Sequence, residues 1–160
     1  MIQVAQSYHL KDLVRIGRSY WAESPYHATH EFDEDTLLES LRRAMIVATH
    51  NVIVAEADGE TVGGSVAYIG DYPWCTSIRS DVELLYVLPE YRDRGFAEQM
   101  LEHQTEWSRK MGAVEILAGD IGFRPPVVER WLDHQGYQDS SVVMRKLLVC
   151  VKPLKPLPLL

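Results

Sequence analysis

The chain is poor in cysteine. Cys75 and Cys150 are the only two in 160 residues, too few for a disulfide framework or a zinc cluster. They read as free thiols of a reducing compartment. Long apolar runs are missing too. None approaches the roughly 18–20 residues of a membrane span, and M-I-Q-V-A-Q-S-Y-H-L-K-D at the start lacks the basic region and apolar block of a signal peptide. The expectation is a cytoplasmic protein with no membrane partner. Positive charge is scarce: 16 Lys+Arg stand against 23 Asp+Glu, for a net charge of −7. That balance argues against a general nucleic-acid binder, which needs a basic footprint. It suits a cationic substrate, but it equally serves solubility.

Two phosphate motifs are absent. There is no G-x-x-x-x-G-K-[ST], so a nucleotide P-loop is excluded. There is no G-x-G-x-x-G after the first strand, so a dinucleotide fold is excluded. His27 and His30 lie close together in Y-H-A-T-H-E-F, but they have no third ligand set, and no metal site is expected.

What is present is an ordinary globular composition, 46% apolar and 24% charged, long enough for one domain with a real core. Ile2 to Ala5 reads as a short strand. Ser7 is a candidate cap for a helix carrying Leu10, Leu13, Val14, Gly17, Tyr20 and Trp21 at helical spacing. Glu23-Ser24-Pro25 stops it. Asp33 to Met45 reads as a second helix with acids at its positive end. Asn51 to Ala57 is nearly all apolar, as in a strand buried on both faces. Asp58-Gly59 is a hairpin turn leading into a strand over Thr61 to Ile69. Within it, Gly63-Gly64 signals a bulge or close backbone approach. Gly70 to Ser80 is a loop, in which Trp74 is either a pocket wall or a plug over the core.

The most informative stretch is Asp81 to Met111: a strand, a short turn bearing arginine and glycine, and a long amphipathic helix. Period-two alternation sets Val82, Leu84 and Tyr86 on one face, with Glu83, Leu85 and Val87 on the other. Pro89 ends the pairing. Arg92-x-x-Gly95-x-Ala97 then enters the helix. Gly95 permits backbone angles and an approach that a side chain would block. Successive N–H groups there would cradle an anion at a helix N-terminus, with charge from Arg92 and Arg94. By itself this is also an ordinary strand–turn–helix unit with surface arginines.

Val114 to Ala118 is a further strand. Pro125-Pro126 opens a helix ended by Gly136 at C′, and Ser141 to Val151 is a final strand. The expected architecture is a single α/β domain over residues 1–151. It has a mixed, mostly antiparallel twisted sheet of about six to seven strands and helices on both faces. A proline-rich tail follows at 152–160.

L-Y-V-L-P-E-Y-R-D-R-G-F-A at Leu85–Ala97 resembles the strand–V-x-P–[RQ]-x-x-G-x-[GA]–helix signature of the GNAT superfamily of acyl-CoA-dependent N-acetyltransferases. The order of elements over nearly the whole chain, to H-Q-G-Y at His134–Tyr137, is similar as well. The form with A-E-S-P-Y, F-D-E-D and a short R-K-L ending is similar to GNAT proteins often encoded by tailed phages.

The resemblance implies acetyl-CoA as co-substrate. Its pyrophosphate would sit on the amides of Arg92, Asp93, Arg94, Gly95, Phe96 and Ala97. Its pantetheine arm would lie beside Leu85, Tyr86 and Val87, in a gap between this strand and Val114–Ala118. A primary amine, small molecule or peptide, would approach over Tyr20, Trp21, Glu23 and Tyr26 and attack the thioester directly, through a tetrahedral intermediate and without an acyl-enzyme. Glu83 is the first candidate base and Asp81 the second; both also read as solvated acids at a strand end. A backbone N–H near Val87 would stabilise the oxyanion.

One departure stands out. The resemblance places a tyrosine four residues before the closing glycine of the last helix, to protonate the thiolate. Here that position is Leu132. The alternative is therefore a degenerate fold that binds acyl-CoA or a protein partner without turnover. Exposed edge strands and the tail leave room for a homodimer.

Overall fold

A computed structural model describes residues 1–118 and 131–138. The described residues form a five-stranded sheet in the order β1-β2-β3-β4-β5. These are β1 Ile2–Val4, β2 His50–Ala57, β3 Glu60–Asp71, β4 Ile78–Val87 and β5 Ile116–Ala118. β1 to β4 pair antiparallel, and β5 pairs parallel to β4. Parallel neighbours need a crossover, and α3 (Phe96–Lys110) supplies it. The other helices are α1 (Leu10–Glu23) and α2 (Glu34–Ile46). Five strands lie among the described residues, against the six to seven expected for the whole chain. The strand read at 141–151, the Pro125-Pro126 helix start and the tail at 152–160 lie outside the described residues.

Local chemistry explains most boundaries. Ser24 sits in extended backbone before Pro25, ending α1, and its hydroxyl accepts the Tyr26 amide at 3.3 Å. Asp33 caps α2 by accepting the Thr36 N–H at 2.8 Å. That bond holds the Asp33 carboxyl below the usual carboxylate range. Asp58 and Gly59 both have positive φ, 52° and 82°, as a two-residue hairpin turn matched to strand twist requires. Ser7 does not cap α1. It lies in a 3-10 turn, Ser7–His9, and α1 begins only at Leu10. His9 is buried and ties this turn to β2, its Nδ1 accepting the Gln6 N–H (2.8 Å) while its Nε2 meets Glu56 (3.0 Å).

β2 is buried on both faces. Val52 and Val54 pack with Leu13, Val14 and Leu41 under α1 and α2. Ile53 and Ala55 pack with Val62, Val87 and Met100 under α3. Each such side chain contributes about 1.5–3 kcal/mol of burial. Gly17 lets α1 meet α2 closely, since a Cβ there would lie 2.4 Å from Leu37 Cδ2. Gly63 and Gly64 serve close approach as well. A Cβ on Gly63 would meet the Tyr86 carbonyl at 2.9 Å, and one on Gly64 would meet Leu13 Cδ2 at 2.8 Å. β3 and β4 extend into the expected 70–80 loop, leaving residues 72–77. Trp74 there is 78% exposed, so it does not plug the core. Among the described residues no helix is long and apolar enough to cross a membrane.

Candidate active site

The site is organised by β4, and β4 is not a simple alternating strand. Leu84 pairs with Val66 and Val82 with Ala67, so Glu83 is an extra residue in a bulge. The bulge resets the faces. Val82 and Leu85 pack with Leu101, and Val87 with Met100, all toward α3. Leu84 joins the core under α1 and α2, and Tyr86 packs on Ile16 of α1. The expected grouping of Val82 with Leu84 and Tyr86, and of Glu83 with Leu85 and Val87, is thus corrected. Asp81 sits opposite Tyr68 of β3, and the charges of both Asp81 and Glu83 reach the Tyr68 hydroxyl.

Past the bulge one edge of β4 has no strand partner among the described residues. β5 pairs with it only through Ser80, Asp81 and Val82. Among the described residues no strand follows Glu83 to Val87 on that side. The Leu88 N–H donates to Val62 O at 2.9 Å, toward β3. Successive amides of a strand point to opposite edges. The N–H groups of Leu85 and Val87 therefore point to the open edge, where an extended ligand can pair.

The chain then turns through a 3-10 segment, Pro89–Tyr91, and enters α3. Asp93 and Gly95 both have positive φ, 61° and 75°. Gly95 is the N-cap of α3, and no side chain caps that helix. Its first amides are left for another acceptor, and they carry the positive end of the helix dipole. A Cβ on Gly95 would have room, with the nearest atom 3.6 Å away. Glycine is required here for its backbone angle. Phe96 and Ala97 turn inward against the Ile53–Met100 core, anchoring the turn. Arg94 stacks over Tyr91 at 5.0 Å.

Arg92 leads back toward the other side of the site. Its Nε–H donates to Val87 O (3.1 Å), and Nη2 pairs with Glu23 Oε2 at the end of α1 (2.7 Å). Its guanidinium lies 5.2 Å from the Tyr86 ring centroid. Tyr86 is 7% exposed and meets Tyr20 edge to face at 5.7 Å. The Tyr86 hydroxyl is buried beside Glu23 and Arg92 without a hydrogen bond of normal geometry. Burial, and then the Glu23 charge, push its pKa up to about 12.

The two candidate bases differ. Asp81 is held by Arg79 at 3.0 Å, with both side chains largely buried. Glu83 is exposed and makes no ion pair or hydrogen bond among the described residues. The Tyr68 hydroxyl is pushed up by burial and by both carboxylates. Trp21 packs on Phe32 (5.8 Å) and His27 (6.3 Å) at the far end of α1. Its indole N–H is buried without a partner. Tyr26 lies in the following 3-10 turn against His30. His27 and His30 bond Ser24 O and Thr29 Oγ1. Leu132 is buried with Val82 and Leu101. Gly136 has φ 81°, and the Tyr137 N–H reaches Leu132 O (3.1 Å), closing that helix at C′ as expected.

Sequence reasoning placed Asp81 and Glu83 on the strand before the 92–97 turn, and β4 and the start of α3 follow that order. It missed Tyr68 and Arg79, which flank the acids, and the Arg92–Glu23 tie. The register of β3 on β4 would have revealed Tyr68, and two-residue spacing along β4 puts Arg79 beside Asp81. No local signal announces the third.

A bulged central strand, a gap beside it and an uncapped glycine turn define an acyltransferase-type α/β domain. The chain belongs to the Acetyltransferase (GNAT) family, whose sequence profile matches residues 13–122. Solved structures agree in fold. The aminoglycoside antibiotic 6'-N-acetyltransferase AAC(6')-IG from Acinetobacter haemolyticus has 18% identity and a TM-score of 0.74, over 94% of this chain and 99% of that one. AAC(6')-Iy, bound to the bisubstrate analogue CoA-S-monomethyl-acetylneamine, has 20% identity and a TM-score of 0.75 over 94% and 98%. A transcriptional regulator from Bacillus halodurans C-125 has 17% identity and a TM-score of 0.76 over 92% and 99%. No curated protein matches in sequence.

Proposed function

We propose that this chain is an acetyl-CoA-dependent N-acetyltransferase acting on a primary amine by direct attack. The observation that carries the reading is the uncapped N-terminus of α3 at Gly95, next to the open edge of β4. An anion binds the first site and an extended amide-bearing arm pairs with the second, which is the chemistry of coenzyme A. The amides of Asp93, Arg94, Gly95, Phe96 and Ala97 hold the pyrophosphate; the Arg92 N–H already donates to Pro89 O at 3.3 Å, and Arg92 contributes its side-chain charge. Leu85 and Val87 hold the arm, and Tyr86 packs behind them. A co-crystallised coenzyme A analogue in a neighbour of the same fold supports the assignment.

The bound thioester supplies an activated acyl carbon. The protein must then supply a neutral amine. A lysine-like amine near pKa 10.4 costs about 4–5 kcal/mol to deprotonate at pH 7. Glu83 takes that proton directly or through water. It is preferred over Asp81, because Arg79 already occupies Asp81. The Val87 N–H, aimed at the open edge, stabilises charge on the carbonyl oxygen. The leaving thiolate takes its proton from solvent, since Leu132 has none to give and the Tyr86 hydroxyl is buried beside Glu23 and Arg92.

The acceptor, a small-molecule or peptide amine, lies over Tyr20, Trp21, Glu23 and Tyr26. Relatives of the same fold act on aminoglycosides, which fits a cationic acceptor. The catalytic domain is taken as residues 1–151, in a cytoplasmic setting where acetyl-CoA is available. Edge strand β1 offers a surface for a homodimer. The likeness to phage-encoded forms rests on the short segments A-E-S-P-Y, F-D-E-D and R-K-L alone.

Leu132 favours a second reading, an acyl-CoA-binding or protein-interaction module without turnover. Release of free thiol from acetyl-CoA across polyamines, amino acids, aminoglycosides and peptides separates the two. Turnover with any amine establishes the transferase. Saturable cofactor binding with no thiol released from the whole panel establishes the module.

A further inference from the structure

Beside the reacting centre lies a polar feature that acetyl transfer does not use. The Tyr86 hydroxyl is buried without a hydrogen bond of normal geometry, and Glu23 and Arg92 stand next to it. Native proteins leave few such groups unsatisfied, and an absent ligand group is a common reason. Glu23 carries its bond to Arg92 on Oε2 at 2.7 Å and lies beside the Tyr86 hydroxyl. The place already attracts a cation. The Arg92 guanidinium lies on Glu23 and over the Tyr86 ring, 5.2 Å from its centroid. An ammonium ion has three donors. Here it would find a carboxylate oxygen, a hydroxyl lone pair and aromatic faces from Tyr86 and Tyr20.

Resting on the acetyltransferase reading, we propose that Glu23 and Tyr86 form a subsite for a second, non-reacting ammonium of the acceptor. The enzyme then selects diamines over monoamines. Tyr86 stands three residues along β4 from Glu83, about 10 Å of strand. Tyr86 packs on Ile16 of α1, and the Glu83 charge reaches the Tyr68 hydroxyl. One end of a diamine loses its proton to Glu83 while the other stays charged on Glu23.

Arg92 makes the subsite responsive to the cofactor. It is also the first residue of the phosphate cradle, and its pair with Glu23 is about half exposed at both ends. A phosphate in the cradle is a stronger partner for a guanidinium. As Arg92 turns to it, Glu23 is freed for the ammonium. Coupling of this kind is reciprocal, so coenzyme A tightens diamine binding and the diamine tightens coenzyme A binding.

The test compares 1,8-diaminooctane with n-octylamine, equal in length but with one ammonium. Calorimetric titration into the coenzyme A-bound protein needs no turnover. The diamine is expected to bind about tenfold tighter or more. The Glu23→Gln variant should bring the ratio near one, and Tyr86→Phe should reduce it by a few fold. Equal affinities in the unmodified protein, or a ratio unchanged in Glu23→Gln, overturn the subsite. Acetylation of both amines with equal kcat/KM overturns it too and leaves the transferase standing. Diamine preference in binding without acetylation of either amine supports the subsite and removes the transferase.

Discussion

β4 separates two regions made in different ways. Its open edge and the turn into α3 present backbone: the amides of Leu85 and Val87, then those around Gly95. Its α1 face presents side chains gathered from distant parts of the chain. Arg92 reaches Glu23, 69 residues away, and Tyr68 comes from β3 to face Asp81 and Glu83. A backbone site depends on φ angles and pairing, and many side chains around it can change without loss. A side-chain site depends on identity at each position. The comparison teaches that cofactor capture should be robust and generic in this fold, while acceptor choice should be particular to this chain.

The sharpest way to break the comparison is at glycine. Gly95 needs its positive φ but has space for a side chain. Gly95→Val should therefore lower acetyl-CoA affinity by more than about 100-fold, near 2.7 kcal/mol, while lowering stability by only about 1–3 kcal/mol. Calorimetry and thermal melting check the two halves. Full affinity in a folded Gly95→Val variant would remove the cradle from its assigned place.

Next in size is Glu83→Gln, which should reduce kcat by about 100-fold and leave acetyl-CoA affinity unchanged. Asp81→Asn should act more through stability, because it strands Arg79 in a largely buried position. If Asp81→Asn costs kcat more than Glu83→Gln does, the two acids exchange roles.

These residues also show what could be read in advance. Asp58-Gly59, Ser24-Pro25 and Asp33 act within a few residues of themselves, and each did what its chemistry requires. Gly95 belongs with them, since a helix start with φ near 75° is a local property. The bulge at Glu83 was not legible. It arises from the register of β3 on β4, set by cores on both faces of the sheet. Plain alternation grouped Val82 with Leu84 and Tyr86, and Glu83 with Leu85 and Val87, for that reason. The Arg92–Glu23 pair was hidden likewise, because nothing near either residue names the other. Ser7 failed as a cap because His9, buried against Glu56, draws the chain into a 3-10 turn first.

A smaller effect is expected at Gly63. A Cβ there would meet the Tyr86 carbonyl at 2.9 Å, so Gly63→Ala should destabilise by about 1–3 kcal/mol. This glycine serves packing. Its loss should shift the melting temperature, with cofactor affinity falling far less than in Gly95→Val. Equal losses of affinity in the two variants would erase the distinction between a packing glycine and a cradle glycine.

The smallest effect is at Tyr86. Its hydroxyl makes no hydrogen bond of normal geometry, so Tyr86→Phe should stay within about 1 kcal/mol of the parent at neutral pH. At high pH the two should diverge. Folded Tyr86 titrates near 12 and an unfolded tyrosine near 10. Between these values the folded chain keeps a proton that the unfolded chain releases, so stability falls as pH rises. Tyr68, Tyr91 and Tyr137 shift in the same direction. Tyr86→Phe should remove one share of the slope, measured by denaturant unfolding from about pH 10 to 12.

The most direct test of the central claim is calorimetric titration of acetyl-CoA into the intact chain. The account predicts saturable binding, one cofactor per chain, weakened as salt screens the phosphate contacts and lost in Gly95→Val. Absence of binding at millimolar acetyl-CoA would contradict it.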